Sequence, residues 1–152
     1  MYKNILAAID NGPCMTPVSQ HAIAHAIAFN AKLTLCHIKK NTIIYKTMMP
    51  VGRSPITHIL TDQSYSMDET LESLKKRALD MGVKEVEIVQ TYSSSPGIAL
   101  ADVIAPGFGI DLILCGRSDK TSLNRFLLGS VSSNIINYAK CDVTLIRGKK
   151  EE

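Results

Sequence analysis

The sequence lacks the features that mark several protein classes. It has no tryptophan, 5% aromatic residues and only four cysteines among 152 residues. The cysteines lie far apart and form no CxxC pair, so neither a zinc framework nor a disulfide scaffold is indicated. No apolar run approaches the roughly 20 residues of a membrane span, and the opening MYKNILAAIDNG lacks the charged, apolar and cleavage regions of a signal peptide. We therefore expect a cytoplasmic protein with reduced thiols and no membrane partner.

Motifs of familiar enzyme classes are also missing. The sequence contains no GxSxG elbow, no Walker A GxxxxGKS/T, no GxGxxG and no HExxH. His21 and His25 are four apart on a predicted helix, but two surface histidines need no metal to explain them. We therefore predict no catalytic residue and no metal site from these motifs.

The charge is low and evenly spread. A formal net charge of +3 does not indicate a nucleic-acid groove, so no nucleic-acid partner is expected. The length suits a single domain, which we place at residues 1–148. Residues 149–152, KKEE, are expected to be a solvated charged tail.

Short apolar runs alternate with amphipathic segments along most of the chain. This alternation favours an α/β fold in which a parallel sheet is covered by helices on both faces. Between residues 39 and 65 no strong period is present, which indicates an unusually long connection that is either a mobile functional loop or partly ordered. The predicted strands are residues 3–9, 33–38, 86–92, 111–115 and 143–146. The predicted helices are residues 17–30 with Thr16 as N-cap, 67–81 after a capping box at Ser66, a helix from Ser95-Pro96 that ends early at Pro106, and 131–139.

One stretch, residues 112–134, organises the rest of the chain. A buried strand ends at Gly116, where the backbone must turn tightly or approach something closely. After a loop, Gly129 and Ser130 begin a helix, with Ser130 as the predicted N-cap. A helix N-terminus offers unpaired N–H groups and a favourable dipole, so the stretch has the outline of an anion site. In a parallel sheet, Asp10, Ile38 and Gly116 would all lie at the carboxyl ends of strands, where ligands bind.

The spacing resembles the Gly-x2-Gly-x9-Gly-Ser/Thr nucleotide motif of the universal stress proteins. Gly116, Gly129 and Ser130 match it, whereas Asp119 stands in place of the second glycine. The resemblance extends over nearly the whole chain through KNILAAID, LTLCHI, LLGSV and CDVTLIR. It implies an open, doubly wound, five-stranded parallel sheet of order 3-2-1-4-5, Rossmann-like and similar to the adenine nucleotide alpha hydrolases. It also implies a homodimer through the last strand, here Val143, Thr144, Leu145 and Ile146.

The resemblance assigns roles to individual residues. The ligand implied is ATP or a related adenine nucleotide, with or without Mg²⁺. Asp10 corresponds to the acidic residue near the ribose, and the backbone of Ile38 to the strand that meets the adenine edge. The other implied nucleotide-binding residues are Ala8 and Ile9 on the ribose wall, Cys115, Gly116, Arg117 and Asp119 at the start of the phosphate loop, and Gly129, Ser130, Val131 and Ser132 on its helix side.

Several alternatives remain at this point. Asp10 could only cap a turn with Asn11 and Gly12. Asp119 brings negative charge towards a polyphosphate, unless neighbouring Arg and Lys offset it or it helps to hold Mg²⁺. The favoured function is a dimeric, nucleotide-binding stress-response module. The alternatives are a dimeric interaction protein that binds no nucleotide, and a slow ATPase that phosphorylates itself on Ser130 or Ser132.

Overall fold

The computed structural model of the chain describes residues 1–44, 58–60, 67–117 and 128–148. In chain order the strands are β1 (Asn4–Ala8), β2 (Lys32–Lys40), β3 (Thr42–Ile44), β4 (His58–Leu60), β5 (Val86–Ser93), β6 (Leu112–Arg117) and β7 (Asp142–Arg147). The helices are α1 (Met15–Phe29), α2 (Asp68–Asp80), α3 (Pro96–Ile98), α4 (Ala105–Gly107) and α5 (Ser130–Tyr138). A π-helical turn, Ala99–Ile104, joins α3 to α4.

Five strands form one parallel sheet in the order β5-β2-β1-β6-β7. Counted along the sheet's own strands, this is the order 3-2-1-4-5, so the predicted fold class is confirmed. The strand order reverses between β2 and β6, on either side of β1. Side chains at the carboxyl ends of these three strands can therefore meet in one crevice.

Helices cover both faces of the sheet, which explains the continuous apolar runs in the sequence. Because successive strand residues point to opposite faces, Ile5 and Ala7 pack with α1 and α2. Leu6 faces the other way, into a core that it shares with Leu100 and Ile135. This second core lies directly beneath the crevice.

The stretch from residue 39 to residue 65 contains structure that its sequence pattern does not indicate. β2 continues to Lys40, two residues beyond the predicted end, and β3 pairs with β4 in antiparallel register, Thr42 opposite Leu60. The described part of this stretch is therefore ordered, as one of the two alternatives for the long connection expects. Pairing between segments that are distant in sequence leaves no periodic signal in so short a strand.

Two predicted helix N-caps differ from the structure, and a third lies outside the described residues. α1 begins at Met15, whose N–H donates to the carbonyl oxygen of Gly12 at 3.1 Å, so Thr16 is not the N-cap. Pro17 fits because the first-turn N–H groups have no intrahelical acceptor. α5 is preceded by Gly129 as N-cap rather than by Ser130, and Ser66 lies outside the described residues.

The described segments contain no helix that is both long and apolar enough to cross a bilayer. The tail predicted at residues 149–152 lies outside the described residues.

Candidate functional site

A pocket of about 450 Å³ opens at the carboxyl ends of β1, β2 and β6, between the beginnings of α3 and α5. Among the predicted site residues that the structure describes, all line it except Arg117. Its lining is Ala8, Ile9, Asp10, Cys36, Ile38, Lys40, Pro96, Leu100, Cys115, Gly116, Leu128, Gly129, Ser130, Val131 and Ser132.

The floor of the pocket is a row of small residues from three neighbouring strands. Ala8 lies opposite Cys36, and the register that pairs Ala7 with Leu114 places Cys115 on the other side of Ala8. Burial raises the pKa of the Cys36 thiol to about 12 and that of the Cys115 thiol to about 11. Both thiols are therefore neutral at physiological pH, and the floor is uncharged and apolar.

One wall is the segment that leaves β1. The N–H of Ile9 donates to the carbonyl oxygen of Cys36 at 2.8 Å, and the carbonyl oxygen of Ile9 lies 2.8 Å from Nδ1 of His37. Because a carbonyl only accepts, Nδ1 must carry a proton in this contact. Ile9 is thus held to β2 through both of its backbone polar groups.

Asp10 follows on this wall and is exposed. Its Oδ1 atom accepts a hydrogen bond from the N–H of Gly12 at 2.8 Å. The turn role considered for Asp10 is therefore real, and the residue also lines the pocket. A carboxylate has about four acceptor positions on two oxygens, so a turn contact leaves capacity for ligand hydroxyl groups.

Gly116 lines the pocket with its main chain, and a nearby helix explains why the residue is glycine. A Cβ atom added here would collide with Cβ of Cys14, at the start of α1. The thiol of Cys14 also donates to the carbonyl oxygen of Arg117 at 3.1 Å. The close approach predicted at Gly116 is thus an approach by α1, on the face of the strand opposite to Cys115.

The first turn of α5 forms the other wall. Gly129 is extended, with φ −60° and ψ 155°, and the helix starts at the next residue. The hydroxyl of Ser132 is buried and donates to the carbonyl oxygen of Gly129 at 3.1 Å, whereas Ser130 is exposed. The first N–H groups of a helix have no intrahelical acceptor, so this wall is suited to an anion.

One predicted site residue, Arg117, is not brought into the pocket lining, and another is not among the described residues. Arg117 ends β6 next to Gly116, with its carbonyl oxygen turned to Cys14. Asp119 lies outside the described residues, as do the neighbouring Lys120 and Arg125.

Five lining residues were missed by the sequence reasoning: Cys36, Lys40, Pro96, Leu100 and Leu128. The alternation of side chains along a strand gives a signal for two of them, because Cys36, Ile38 and Lys40 share one face of β2. Lys40 is exposed and, with Asp10, is one of the two charged residues among the lining residues that the structure describes.

Comparisons with known proteins agree on one family. The model of the universal stress protein family matches residues 1–147. A Staphylococcus haemolyticus protein assigned to the universal stress proteins is 32% identical over 146 residues, covering 96% of this chain and 85% of that protein. A counterpart from Staphylococcus aureus is 30% identical over 146 residues, covering 96% of this chain and 84% of that protein.

Solved structures of the same family share the fold. A universal stress protein in complex with cAMP is 21% identical, with a TM-score of 0.70 over 97% of this chain and 98% of that chain. The universal stress protein from Archaeoglobus fulgidus in complex with dAMP is also 21% identical, with a TM-score of 0.65 over 95% of this chain and 98% of that chain.

Proposed function

Because the chain belongs to the universal stress protein family, we propose that its pocket binds an adenine nucleotide and that the protein acts as a nucleotide-responsive binding module. One observation carries the proposal. Residues predicted from four separate stretches of the sequence, around Asp10, Ile38, Gly116 and Gly129, line a single pocket at the switch point of the sheet. Two relatives of the same fold were solved with cAMP and with dAMP.

The pocket has the size and the polarity of a nucleotide site. Its volume of about 450 Å³ lies within the range of pockets that enclose small ligands. The apolar row of Cys36, Ala8 and Cys115 suits the face of a base, and the main chain near Ile38 suits its polar edge. The carboxylate of Asp10 suits ribose hydroxyl groups, which donate hydrogen bonds.

The phosphate end of the ligand would lie at the first turn of α5. There, N–H groups at Ser130, Val131 and Ser132 and the positive end of the helix dipole favour negative charge. With ATP, a bound Mg²⁺ would neutralise part of the phosphate charge and so reduce the repulsion expected from Asp119. We therefore propose that Mg²⁺ matters for ATP and much less for AMP.

The proposal is tested by detecting and measuring bound nucleotide. Mass spectrometry of the denatured, freshly purified protein should reveal an adenine nucleotide. ATP or AMP at millimolar concentration should raise the melting temperature, because a ligand that binds only the folded state stabilises it. No nucleotide after purification and no shift with any adenine nucleotide, with or without Mg²⁺, would refute the proposal and favour a dimeric interaction protein.

A matched pair of glycine variants makes the test specific to the pocket. Gly129→Glu adds a carboxylate beside the first turn of α5, which we call the phosphate wall, and should abolish the shift in melting temperature. Gly107→Glu is the control, because a Cβ added at Gly107 meets nothing within 4 Å and the residue lies in α4, away from the lining. Equal shifts in the two variants would show that ligand binds elsewhere.

A second candidate function is slow phosphoryl transfer from ATP to Ser130. Ser130 is exposed and lines the pocket, whereas the hydroxyl of Ser132 is buried and already donates to Gly129. Incubation with Mg²⁺ and ATP would then add a phosphoryl group to Ser130 and release ADP. Mass spectrometry should find the added phosphoryl group in the native chain and in Ser132→Ala but not in Ser130→Ala. Phosphorylation no higher than in a heat-denatured control would exclude this candidate function.

We also propose that the protein forms a homodimer through β7. Within the described ranges β7 pairs with β6 on one side only, and Val143 and Leu145 are partly buried. Such an edge needs a partner or protection. Light scattering at micromolar concentration should give twice the mass of 16.6 kDa. A monomer mass would contradict the dimer and leave the nucleotide proposal intact.

A further inference from the structure

The two helical walls of the pocket meet at Gly97. Gly97 is buried in α3, one residue after the pocket-lining Pro96. A Cβ atom added at this glycine would lie 2.6 Å from the carbonyl oxygen of Val131 and 2.8 Å from Cβ of Asn134, both in α5. Cβ atoms essentially never lie closer than 3.0 Å to other heavy atoms, so the absent Cβ is what allows α3 and α5 to pack backbone to backbone.

This contact lies at the pocket and not at a remote point of the two helices. Val131 belongs to the first turn of α5 and lines the pocket, as does Leu100, which follows Gly97 by three residues. The distance between the two walls is therefore set where the main chain of Gly97 meets Val131. A side chain at position 97 must therefore displace one of the two walls, because its Cβ would meet a backbone carbonyl oxygen and a Cβ atom of α5.

Of the two walls, α5 is the one that would move. The continuous helical stretch after Gly97 is anchored by Leu100, Ala101, Ile104 and Ala105, which are all buried. α5 buries only Ser132 and Ile135. Fewer buried apolar groups resist its displacement, so a side chain at position 97 displaces the first turn of α5 more than it displaces α3.

We propose that Gly97 is a positioning residue that sets the width of the pocket and holds the first turn of α5 within reach of the ligand's phosphate. This inference rests on the proposed nucleotide function and adds the reason for the phosphate wall's position. The base and ribose would contact strand ends on β1 and β2, whereas the three atoms nearest to a Cβ at Gly97 all belong to α5. Gly97 therefore governs the affinity for the phosphate group and has little effect on that for the nucleoside.

The experiment compares AMP with adenosine by calorimetric titration. In Gly97→Ala, AMP should bind about tenfold more weakly than to the native chain, a change of one decade in Kd, whereas adenosine should change by less than about threefold. In Gly107→Ala, the matched control where a Cβ meets nothing within 4 Å, both affinities should stay native. Equal losses for AMP and adenosine in Gly97→Ala, or no loss for either, would overturn the proposal.

A second measurement does not require nucleotide. Amide hydrogen exchange in the ligand-free protein should be faster for Gly97→Ala than for Gly107→Ala at Ser133, whose N–H donates to the carbonyl oxygen of Gly129 at 2.9 Å and closes the first turn of α5. Unchanged exchange there would refute the positioning role, even if the native protein bound no AMP and the proposed function had failed. If Gly97→Ala does not fold, the double variant Gly97→Ala/Asn134→Gly replaces it, because it lacks the colliding Cβ of Asn134. The same titrations and exchange measurements then test the proposal.

Discussion

Nδ1 of His37 lies 2.8 Å from the carbonyl oxygen of Ile9, and this contact fastens the end of β1 to β2 at the edge of the pocket. The backbone N–H of Ile9 completes the connection by donating to the carbonyl oxygen of Cys36 at 2.8 Å. Asp10 follows immediately, so the direction in which its side chain leaves the sheet depends on these two hydrogen bonds. His37 thus has a defined structural task at the end of β1.

We expect the His37 contact to be replaceable by another donor of similar reach. His37→Ala leaves the carbonyl oxygen of Ile9 without this donor and should lower the free energy of unfolding by about 1 kcal/mol. His37→Asn, whose side-chain amide can donate in place of Nδ1–H, should recover at least half of that loss. Urea denaturation of the three proteins measures both effects. Equal stabilities of the Ala and Asn variants would mean that the hydrogen bond contributes nothing measurable.

Asp10 has a turn contact and a proposed ligand contact, and two substitutions separate them. Asp10→Asn keeps an oxygen that can accept from the N–H of Gly12, so its stability should stay within about 0.5 kcal/mol of the native chain. Asp10→Ala loses the acceptor and should be less stable by about 1 kcal/mol. Urea denaturation tests this ranking.

The ligand contact of Asp10 should respond differently. Both variants lose the negative charge that strengthens hydrogen bonds to ribose hydroxyl groups, so adenosine should bind each of them about tenfold more weakly. Free adenine, which has no ribose, should bind them as it binds the native chain. Native adenosine affinity in Asp10→Asn would restrict Asp10 to its turn role.

The buried thiol of Cys36 should make the protein sensitive to alkaline pH. Its pKa is raised from 9.0 to about 12 by burial, so between these values the unfolded state releases a proton that the folded state keeps. Stability is therefore full below pH 9 and falls as the pH rises towards 12. At pH 10 the loss from this group should be about 1 kcal/mol relative to pH 8.

The check for Cys36 is a comparison of pH-induced changes. Urea denaturation of the native chain and of Cys36→Ala at pH 8 and pH 10 cancels the contributions of groups that both proteins share. The variant should lose about 1 kcal/mol less than the native chain over this interval. Identical losses would show that the Cys36 thiol does not keep its proton in the folded state.

Replacing Asp119 should strengthen the binding of phosphate-rich ligands. In Asp119→Gly, the removal of one negative charge at about 4 Å from a phosphate is worth about 1 kcal/mol in a water-like environment, or about fivefold in Kd for ATP. The gain should shrink at high salt and be small for adenosine. If Asp119→Gly binds ATP with the same affinity as the native chain, the carboxylate of Asp119 lies away from the phosphates. A chain that binds ATP only after the substitution would indicate a site that has lost its ligand.

Much of the fold and of the pocket could be predicted from sequence because both depend on local patterns and on topology. The five apolar runs identify the strands of the main sheet, and the rule for parallel sheets brings Asp10, Ile38 and Gly116 to one edge. The β3–β4 ribbon could not be predicted in the same way. Its two strands have three residues each, which is too short to show a period. They are also separated in sequence, so neither strand indicates its partner.

Two glycines show where the prediction reaches its limit. The sequence indicated that something approaches Gly116, but only the three-dimensional arrangement identifies it as Cys14. Gly97 gave no signal, since the contact that requires it is with α5, more than thirty positions later in the chain. Packing between helices that are distant in sequence becomes visible only in the three-dimensional structure, because a single sequence carries no signal for it.

The central position of β1 has a consequence for the order of folding. Ile5 pairs with Leu33 in β2 on one side and with Leu112 in β6 on the other. The β1–β2 pair therefore forms between segments close in sequence, whereas the β1–β6 pair must close a long loop. Contacts of large sequence separation form slowly. The pocket needs β6 and α5, and we expect it to be completed late in folding. We expect a bound nucleotide to lengthen the lifetime of the native state without speeding its formation.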